Sequence, residues 1–154
     1  MFLELDSVIK IVLAVVVGGI IGLERESINR PAGFRTHILV CVASALIMDV
    51  NIKLVVGYIN ADPARMAAQV ISGMGFLGAG TIIKEGVTVK GLTTAAGLWS
   101  VACLGLVIGA GFYSLAFFAV MIMWITLKVF SRFENKINKS KRDRFRNKGD
   151  FDND

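Results

Sequence analysis

Apolar residues form five long runs, about residues 8–23, 36–50, 64–83, 92–111 and 112–130, which short polar stretches separate. Each run approaches the roughly 20 residues that a helix needs to cross a bilayer. Inside lipid the backbone has no water to bond, so a spanning segment of this kind must be helical. The pattern predicts an all-α, polytopic membrane protein with five transmembrane helices.

Small residues recur at helical spacing within these runs. In the first run Ala14, Gly18 and Gly22 are four residues apart, and the fourth run contains Gly105 and Gly109. Small residues let membrane helices approach closely. We therefore predict that the following residues pack helices together or line a pathway: Gly18, Gly22, Gln69, Ser72, Gly73, Gly75, Gly78, Ala79, Gly80, Thr93, Thr94, Gly105 and Gly109.

The third run is the richest in glycine, and we expect it to be the central helix. On a helix, Ala68, Ser72, Gly75 and Ala79 share one narrow face, with glycines on a second face. Such a helix is predicted to be clamped between two neighbours. Its start is predicted at Asp62–Pro63, with Asp62 as the N-cap, and a tight polar turn is expected between the third and fourth runs.

Composition and charge support a membrane protein with a fixed orientation. The chain is 55% hydrophobic with a mean hydropathy of +0.64, and nine of its 17 Lys and Arg residues lie at 128–154. With the N-terminus outside, fourteen basic residues fall on the inner side and three on the outer side. Because basic loops stay in the cytoplasm, the C-terminus is predicted to be cytoplasmic, in the bacterial inner membrane.

These features divide the chain into a membrane domain, residues 1–130, and a basic cytoplasmic tail, residues 131–154, predicted to be partly disordered. The tail either marks topology or binds anionic lipid, and nucleic acid is not an expected partner. The first run lacks a basic leader and a cleavage site, so we expect it to remain in the mature protein.

Polar residues at the predicted cytoplasmic ends of the helices are the main candidate site. Charged groups at this depth either pair across loops as structural locks or form a docking surface. The residues of this predicted cluster are Glu24, Arg25, Glu26, Arg30, Arg35, Thr36, His37, Lys84, Glu85 and Lys90.

Enzyme chemistry finds little support. Gly73, Gly75 and Gly78 match a dinucleotide fingerprint, but they lie in an apolar run rather than after a strand. His37, the single histidine, has no nucleophile or carboxylate at motif spacing. We predict no catalytic residue, no metal site and no cofactor. An ion path remains an alternative, because Asp49 and Gln69 are polar groups within or beside the spans.

Five motifs carry a family resemblance: GLERE at 22–26, RPAGFRTHILV at 30–40, DPARMAAQV at 62–70, SGMGFLGAGTI at 72–82 and VKGLTTAAGLW at 89–99. Together they resemble the MgtC/SapB family of bacterial inner-membrane proteins. Beyond residues already named, they include Pro31, Gly33, Asp62, Arg65, Gly91 and Trp99. The resemblance implies a five-span domain. It also implies, for some members, virulence roles in adaptation to low magnesium, through membrane energetics and through binding partners that include the F-type ATP synthase.

The chain departs from many MgtC proteins in having only a short tail after the spans, which favours the SapB-like short form. We therefore predict a non-enzymatic membrane regulator that contacts the lipid bilayer, itself as a homodimer, and other membrane proteins. The alternative is a small ion channel or transporter with a path beside the third helix.

Overall fold

The computed structural model of the protein describes residues 2–58 and 61–129. Five helices follow in chain order: α1 Phe2–Ser27, α2 Phe34–Val55, α3 Arg65–Ala79, α4 Leu92–Gly109 and α5 Tyr113–Val129. Between α3 and α4 lie two short strands, β1 Ile83–Glu85 and β2 Thr88–Lys90. The predicted tail, residues 131–154, lies outside the described residues.

A mostly helical protein is therefore confirmed, with one short exception among the described residues. The expected polar turn is an antiparallel hairpin that pairs Ile83 with Lys90 and Glu85 with Thr88. Gly86 and Val87 make the turn, and Gly86 has a φ of 59°, a conformation that suits glycine. The third helix correspondingly ends at Ala79 rather than at residue 83.

Local hydrogen bonds explain where α3 begins and ends. Asp62 Oδ1 accepts a hydrogen bond from the Ala64 backbone N–H at 2.8 Å, so Asp62 and Pro63 form a turn before the helix rather than its first residues. At the other end, the Thr81 hydroxyl donates to the Gly78 carbonyl at 2.8 Å. The Thr81 backbone N–H reaches the same oxygen at 3.0 Å, which closes the last turn.

Three helices of the described chain are long and apolar enough to cross a membrane: Glu4–Ser27, Phe34–Val55 and Leu92–Gly109. The described part of α5 is shorter. The 15 residues of α3 are about 22 Å long at 1.5 Å per residue, against a hydrocarbon core of about 30 Å. Three candidate spans are therefore observed, and the count of five stays a prediction.

The centre of the fold is α2, and the expectation that the third helix is central is wrong for the single chain. Both α1 and α4 pack against α2, whereas the residues of α3 that are buried are Met74 and Gly78. Packing by α3 alone is limited because most of its surface side chains are small or point away from the bundle. The helix lies at the edge, mainly against α4.

Glycine sets the distance between α2 and its two neighbours. A Cβ at Gly18 would lie 2.8 Å from the His37 carbonyl oxygen, and one at Gly22 would lie 2.7 Å from Phe34 Cα. On the other side of α2, a Cβ at Gly105 would lie 2.7 Å from Ser44 Cβ. These distances are too short for any side chain, so the backbones of three helices touch almost directly.

Candidate functional site

The packing of α1 on α2 carries Arg25 into the protein interior. Arg25 follows Gly18 by seven residues and Gly22 by three, so it lies on the same face of α1 as those glycines. That face is pressed against the start of α2, and Arg25 is only 2% exposed. Its position is thus a direct consequence of the glycine spacing.

His37 occupies the facing position on α2 and is completely buried. Its Nδ1 lies 2.8 Å from the Gly33 carbonyl oxygen. Because a carbonyl can only accept, Nδ1 carries the hydrogen of this bond. The ring is therefore held with Nε2 directed away from its own loop.

α4 supplies the third wall of this junction through Thr94 and Gly97. Both residues are buried and lie on the same face of α4 as Gly105 and Gly109. A Cβ at Gly97 would lie 3.8 Å from His37 Nε2, with no other neighbouring atom within 4 Å. A methyl group at residue 97 would therefore contact the imidazole without overlapping it.

Three residues at this junction carry buried atoms without a hydrogen-bond partner. Within residues 2–58 and 61–129, these atoms are Arg25 Nε and Nη2, Glu24 Oε2 and His37 Nε2. Arg25 Nη1 lies 3.8 Å from Glu24 Oε2, which is beyond hydrogen-bonding distance. We name Glu24, Arg25 and His37 the buried junction. It is the candidate functional site, because unpaired buried polar groups are costly.

The rest of the predicted cluster from the first loop lies around an open polar pocket beside the junction. Glu26 accepts a hydrogen bond from the Phe34 backbone N–H at 2.7 Å, which closes the loop over the start of α2. The pocket has a volume of about 340 Å³ and is lined by Glu26, Asn29, Arg30, Gly33, Phe34, Arg35 and Thr36. Sequence and structure thus bring these residues to one end of the protein.

The hairpin residues of the predicted cluster stand apart from this loop. Lys90 pairs with Glu85 at 2.5 Å, and all residues of both strands are exposed. No ion pair among the described residues connects the hairpin with residues 24–35. Lys84, Glu85 and Lys90 therefore form a separate exposed group.

The predicted positions on α3 are mostly exposed. Gln69, Ser72, Gly73, Gly75 and Ala79 all lie on its open surface, and a Cβ at Gly73 or Gly75 would have no neighbouring atom within 4 Å. Gly78 is the exception, since its Cβ would be 3.5 Å from Ala95 Cβ. Of the two threonines on α4, Thr93 is exposed and Thr94 is buried.

A second polar cluster lies at the opposite end of the α1–α2 pair. Lys10 is only 8% exposed and Asp49 only 4%, although a lysine near the end of a span commonly extends its ammonium group toward water. Lys10 Nζ lies 2.7 Å from Asp49 Oδ1 and 2.7 Å from Asp6 Oδ2. Lys10 instead makes two ion pairs, one with the buried Asp49 and one with the half-exposed Asp6.

Further groups complete this second cluster. Lys53 pairs with Asp49 at 2.7 Å, and Ser7 donates to the same carboxylate at 2.7 Å. Tyr113, at the start of α5, donates to Asp6 at 3.0 Å. Sequence reasoning missed this cluster because its members lie far apart in the chain; the one signal was a pair of opposite charges, Lys10 and Asp49, inside apolar runs.

The described residues contain no group of three or more His, Cys, Asp or Glu side chains that could hold a metal ion. The carboxylate oxygens of Asp49 are already occupied by Lys10, Lys53 and Ser7. The chemistry available at the buried junction is instead hydrogen bonding and charge.

Comparison with known proteins shows the family to which the sequence is similar. The model of the MgtC family matches residues 11–136. YhiD of Escherichia coli (strain K12), described as a putative magnesium transporter, is 41% identical over 130 residues, covering 81% of this chain and 60% of YhiD. Protein SapB of Bacillus subtilis (strain 168) is 40% identical over 133 residues, 82% of this chain and 57% of SapB.

Protein MgtC of Brucella abortus (strain 2308) is 48% identical over 110 residues, 71% of this chain and 45% of that protein. The chain thus spans about half the length of the curated relatives it matches. No solved structure matches it. The resemblance carried by the five motifs is confirmed, and the chain belongs to the MgtC family.

Proposed function

We propose that this protein is a non-enzymatic regulator in the bacterial inner membrane that acts through helix contacts with a second copy and with other membrane proteins. Membership of the MgtC family and the apolar helices support a membrane protein. A link to magnesium is supported by the description of YhiD. The F-type ATP synthase, implied by the family resemblance, is the first partner to test.

The proposed topology has five spans, with the N-terminus outside and the C-terminus in the cytoplasm. Contacts support alternation of direction: Gly18 and Gly22 of α1 meet α2 in reverse order, whereas Gly105 and Gly109 of α4 meet α2 in the same order. On this arrangement α3 crosses between α2 and α4. Its short length would be accommodated by local thinning of the bilayer or by oligomerisation.

The open face of α3 is the observation that carries the proposal. Met74 and Gly78 face the bundle, and Ala68, Ser72, Gly75 and Ala79 lie on an adjoining face of the helix. All four of these small residues are exposed in the single chain. We name them the α3 small-residue face.

In a bilayer, a face of this kind favours contact with another helix. Small residues let two backbones approach and gain van der Waals contact, whereas larger side chains would hold them apart. The same face on a second copy offers a matching surface around a two-fold axis. A homodimer across α3 is therefore proposed as the basic unit of self-association.

Cross-linking and size measurements test this dimer. Oxidation of the Ser72→Cys variant in membranes should give a disulfide-linked dimer, whereas Ala43→Cys, on an exposed position of α2, should not. Gly75→Leu should lower the dimer fraction measured by light scattering in mild detergent, with Ala43→Leu as the matched control. A monomeric wild type with no Ser72→Cys cross-link would contradict the proposal.

Magnesium transport is the alternative function, and charged groups within candidate spans are the feature that favours it. Against it, α3 is continuous over Arg65–Ala79, and Gln69 lies on an exposed surface. Mg²⁺ is usually held by carboxylates and water, and the buried Asp49 is already paired. We expect no Mg²⁺ flux into proteoliposomes; flux lost in Gln69→Leu would favour transport.

A further inference from the structure

The buried junction has an unusual set of hydrogen-bonding atoms. All buried side-chain nitrogen and oxygen atoms that lack a partner within the described chain belong to its three residues. Two of them, on Arg25, are donors. The others are on Glu24 and His37, and whether each donates or accepts a hydrogen bond decides which ligand would fit.

The Arg25 donors form a fork. Nε and Nη2 lie on the same edge of the planar guanidinium, and their N–H bonds point in nearly the same direction. This edge binds two oxygens of a carboxylate or phosphate at once. Because Arg25 is 2% exposed, a guanidinium edge without a partner is costly here.

The remaining atoms are acceptors. His37 Nδ1 donates to the Gly33 carbonyl, so in the neutral ring Nε2 has a lone pair and no hydrogen. Glu24 Oε2 is a carboxylate oxygen and also accepts. The junction therefore combines two donors on one edge of Arg25 with two acceptors, Glu24 Oε2 from α1 and His37 Nε2 from α2.

We propose that the buried junction binds a protonated oxyanion, such as a monobasic phosphate group. Two unprotonated phosphate oxygens would accept from the Arg25 fork, and P–OH groups would donate to His37 Nε2 and Glu24 Oε2. Sulfate and carboxylate ions at neutral pH have no hydroxyl hydrogen, and would leave both acceptors unsatisfied. The set of donors and acceptors thus selects for the hydroxyl.

The surroundings of the junction suit an anion. Arg30 and Arg35 line the adjacent polar pocket of about 340 Å³, which also includes Gly33, the hydrogen-bond partner of His37. The pocket contains one carboxylate, Glu26, which already accepts from the Phe34 backbone N–H, so positive charge is in excess. Positive side chains around a pocket raise the local concentration of anions. Inorganic phosphate in its monobasic form supplies both hydroxyls, whereas the monobasic headgroup of phosphatidic acid supplies one and would satisfy one of the two acceptors; both supply the two oxygens for the Arg25 fork.

Gly97 allows a mild test of the site. A Cβ there would be 3.8 Å from His37 Nε2, an ordinary van der Waals contact that occupies the space a donor hydroxyl needs. Alanine also favours a helix over glycine, so Gly97→Ala should fold at least as well as the wild type. Loss of binding in this variant would therefore not be explained by unfolding.

The proposal is tested by equilibrium binding of radiolabelled inorganic phosphate to the full chain. The chain is held in phosphatidylcholine nanodiscs at constant ionic strength. We expect phosphate to bind and an excess of sulfate to compete poorly. Gly97→Ala should weaken binding about tenfold or more, as expected for loss of a hydrogen bond to a charged ligand. Arg25→Lys, which keeps the charge and removes the fork, should weaken it at least as much.

Ala96→Val is the matched control, since Ala96 is the exposed neighbour of Gly97 on α4 and should leave phosphate binding unchanged. Nanodiscs that contain phosphatidic acid separate the two sources: competition assigns the site to the lipid headgroup, and its absence assigns it to inorganic phosphate. Equal competition by sulfate, unchanged binding in Gly97→Ala, or no phosphate binding at all would overturn the proposal.

Discussion

Individual charged residues are buried at both ends of the α1–α2 pair, but in opposite ways. Lys10 and Asp49 are each held by ion pairs and hydrogen bonds, whereas Arg25 and His37 retain unpartnered atoms. A satisfied buried pair is mainly structural, and removal of one partner is more harmful than removal of both. The end with Lys10 and Asp49 is therefore expected to govern the stability of the fold, and the end with Arg25 and His37 to govern ligand binding.

Asp49→Asn tests the structural role of the end with Lys10 and Asp49. The substitution removes the charge of Asp49 and leaves the buried Lys10 with only Asp6 as a counter-ion. Lys53 is partly exposed and can turn toward solvent. We expect a loss of about 2–3 kcal/mol in the free energy of unfolding, measured by thermal or denaturant unfolding in detergent.

Two companion variants show whether charge burial is the cause. Lys10→Met combined with Asp49→Leu removes both charges and should recover most of the lost stability. Glu85→Gln breaks the exposed Lys90 pair on the hairpin and should change stability by less than about 1 kcal/mol. If the double variant is no more stable than Asp49→Asn, the ion pair is not the source of the effect.

At the scale of helices, the glycines of α1 and α4 hold α2 between two closely packed neighbours. A methyl group at Gly105 would lie 2.7 Å from Ser44 Cβ, so Gly105→Ala must push α4 away from α2. We expect a destabilisation of about 1–3 kcal/mol, typical of overpacking, seen as a lower thermal midpoint in detergent.

Gly73→Ala is the comparison for that experiment, because a methyl group there meets no atom within 4 Å. This substitution should leave the free energy of unfolding unchanged or raise it by up to about 1 kcal/mol, because alanine favours a helix over glycine. Equal losses in the two variants would mean that backbone flexibility, and not the close contact, makes glycine necessary at Gly105.

Helical spacing in the sequence predicts which residues share a helix face, but not whether that face is buried or exposed. The sequence predicts the small-residue stripe of Gly18 and Gly22 but assigns Arg25 only to a polar cluster at the helix ends. The intervals of seven and three residues put Arg25 on the glycine face, and the structure shows that this face is buried against α2. For α3, small residues occur on several faces. Because small residues serve contacts within a chain and between chains alike, spacing could not tell that its main stripe is open.

The hairpin shows a second limit of sequence reasoning. Its strands are three residues each, too short for an alternating pattern to stand out beside an apolar run. Only the pairing of Lys84 with Val89 and its neighbours distinguishes strands from a loop. For this reason the sequence predicts only a polar turn between the third and fourth runs.

Over the whole molecule, the two polar ends of the α1–α2 pair fit the two faces of a membrane. One end carries the buried junction, the arginine-containing loop and, through α3 and α4, the hairpin; the other carries Lys10, Asp49 and the end of α2. The excess of Lys and Arg near the end that carries the buried junction predicts that this end is cytoplasmic. Orientation can therefore be read from one exposed residue at each end.

Val87 at the hairpin tip is fully exposed, and Tyr58 beyond α2 is 72% exposed, so each can be replaced by cysteine with little effect on packing. In intact cells, a membrane-impermeant thiol reagent should label Tyr58→Cys and spare Val87→Cys, which should react only after the membrane is permeabilised. The wild type measures the background from Cys41, which is buried, and Cys103, which is partly buried. The reverse labelling would invert the proposed topology, and labelling of both sites in intact cells would place α3 on one side of the bilayer instead of across it.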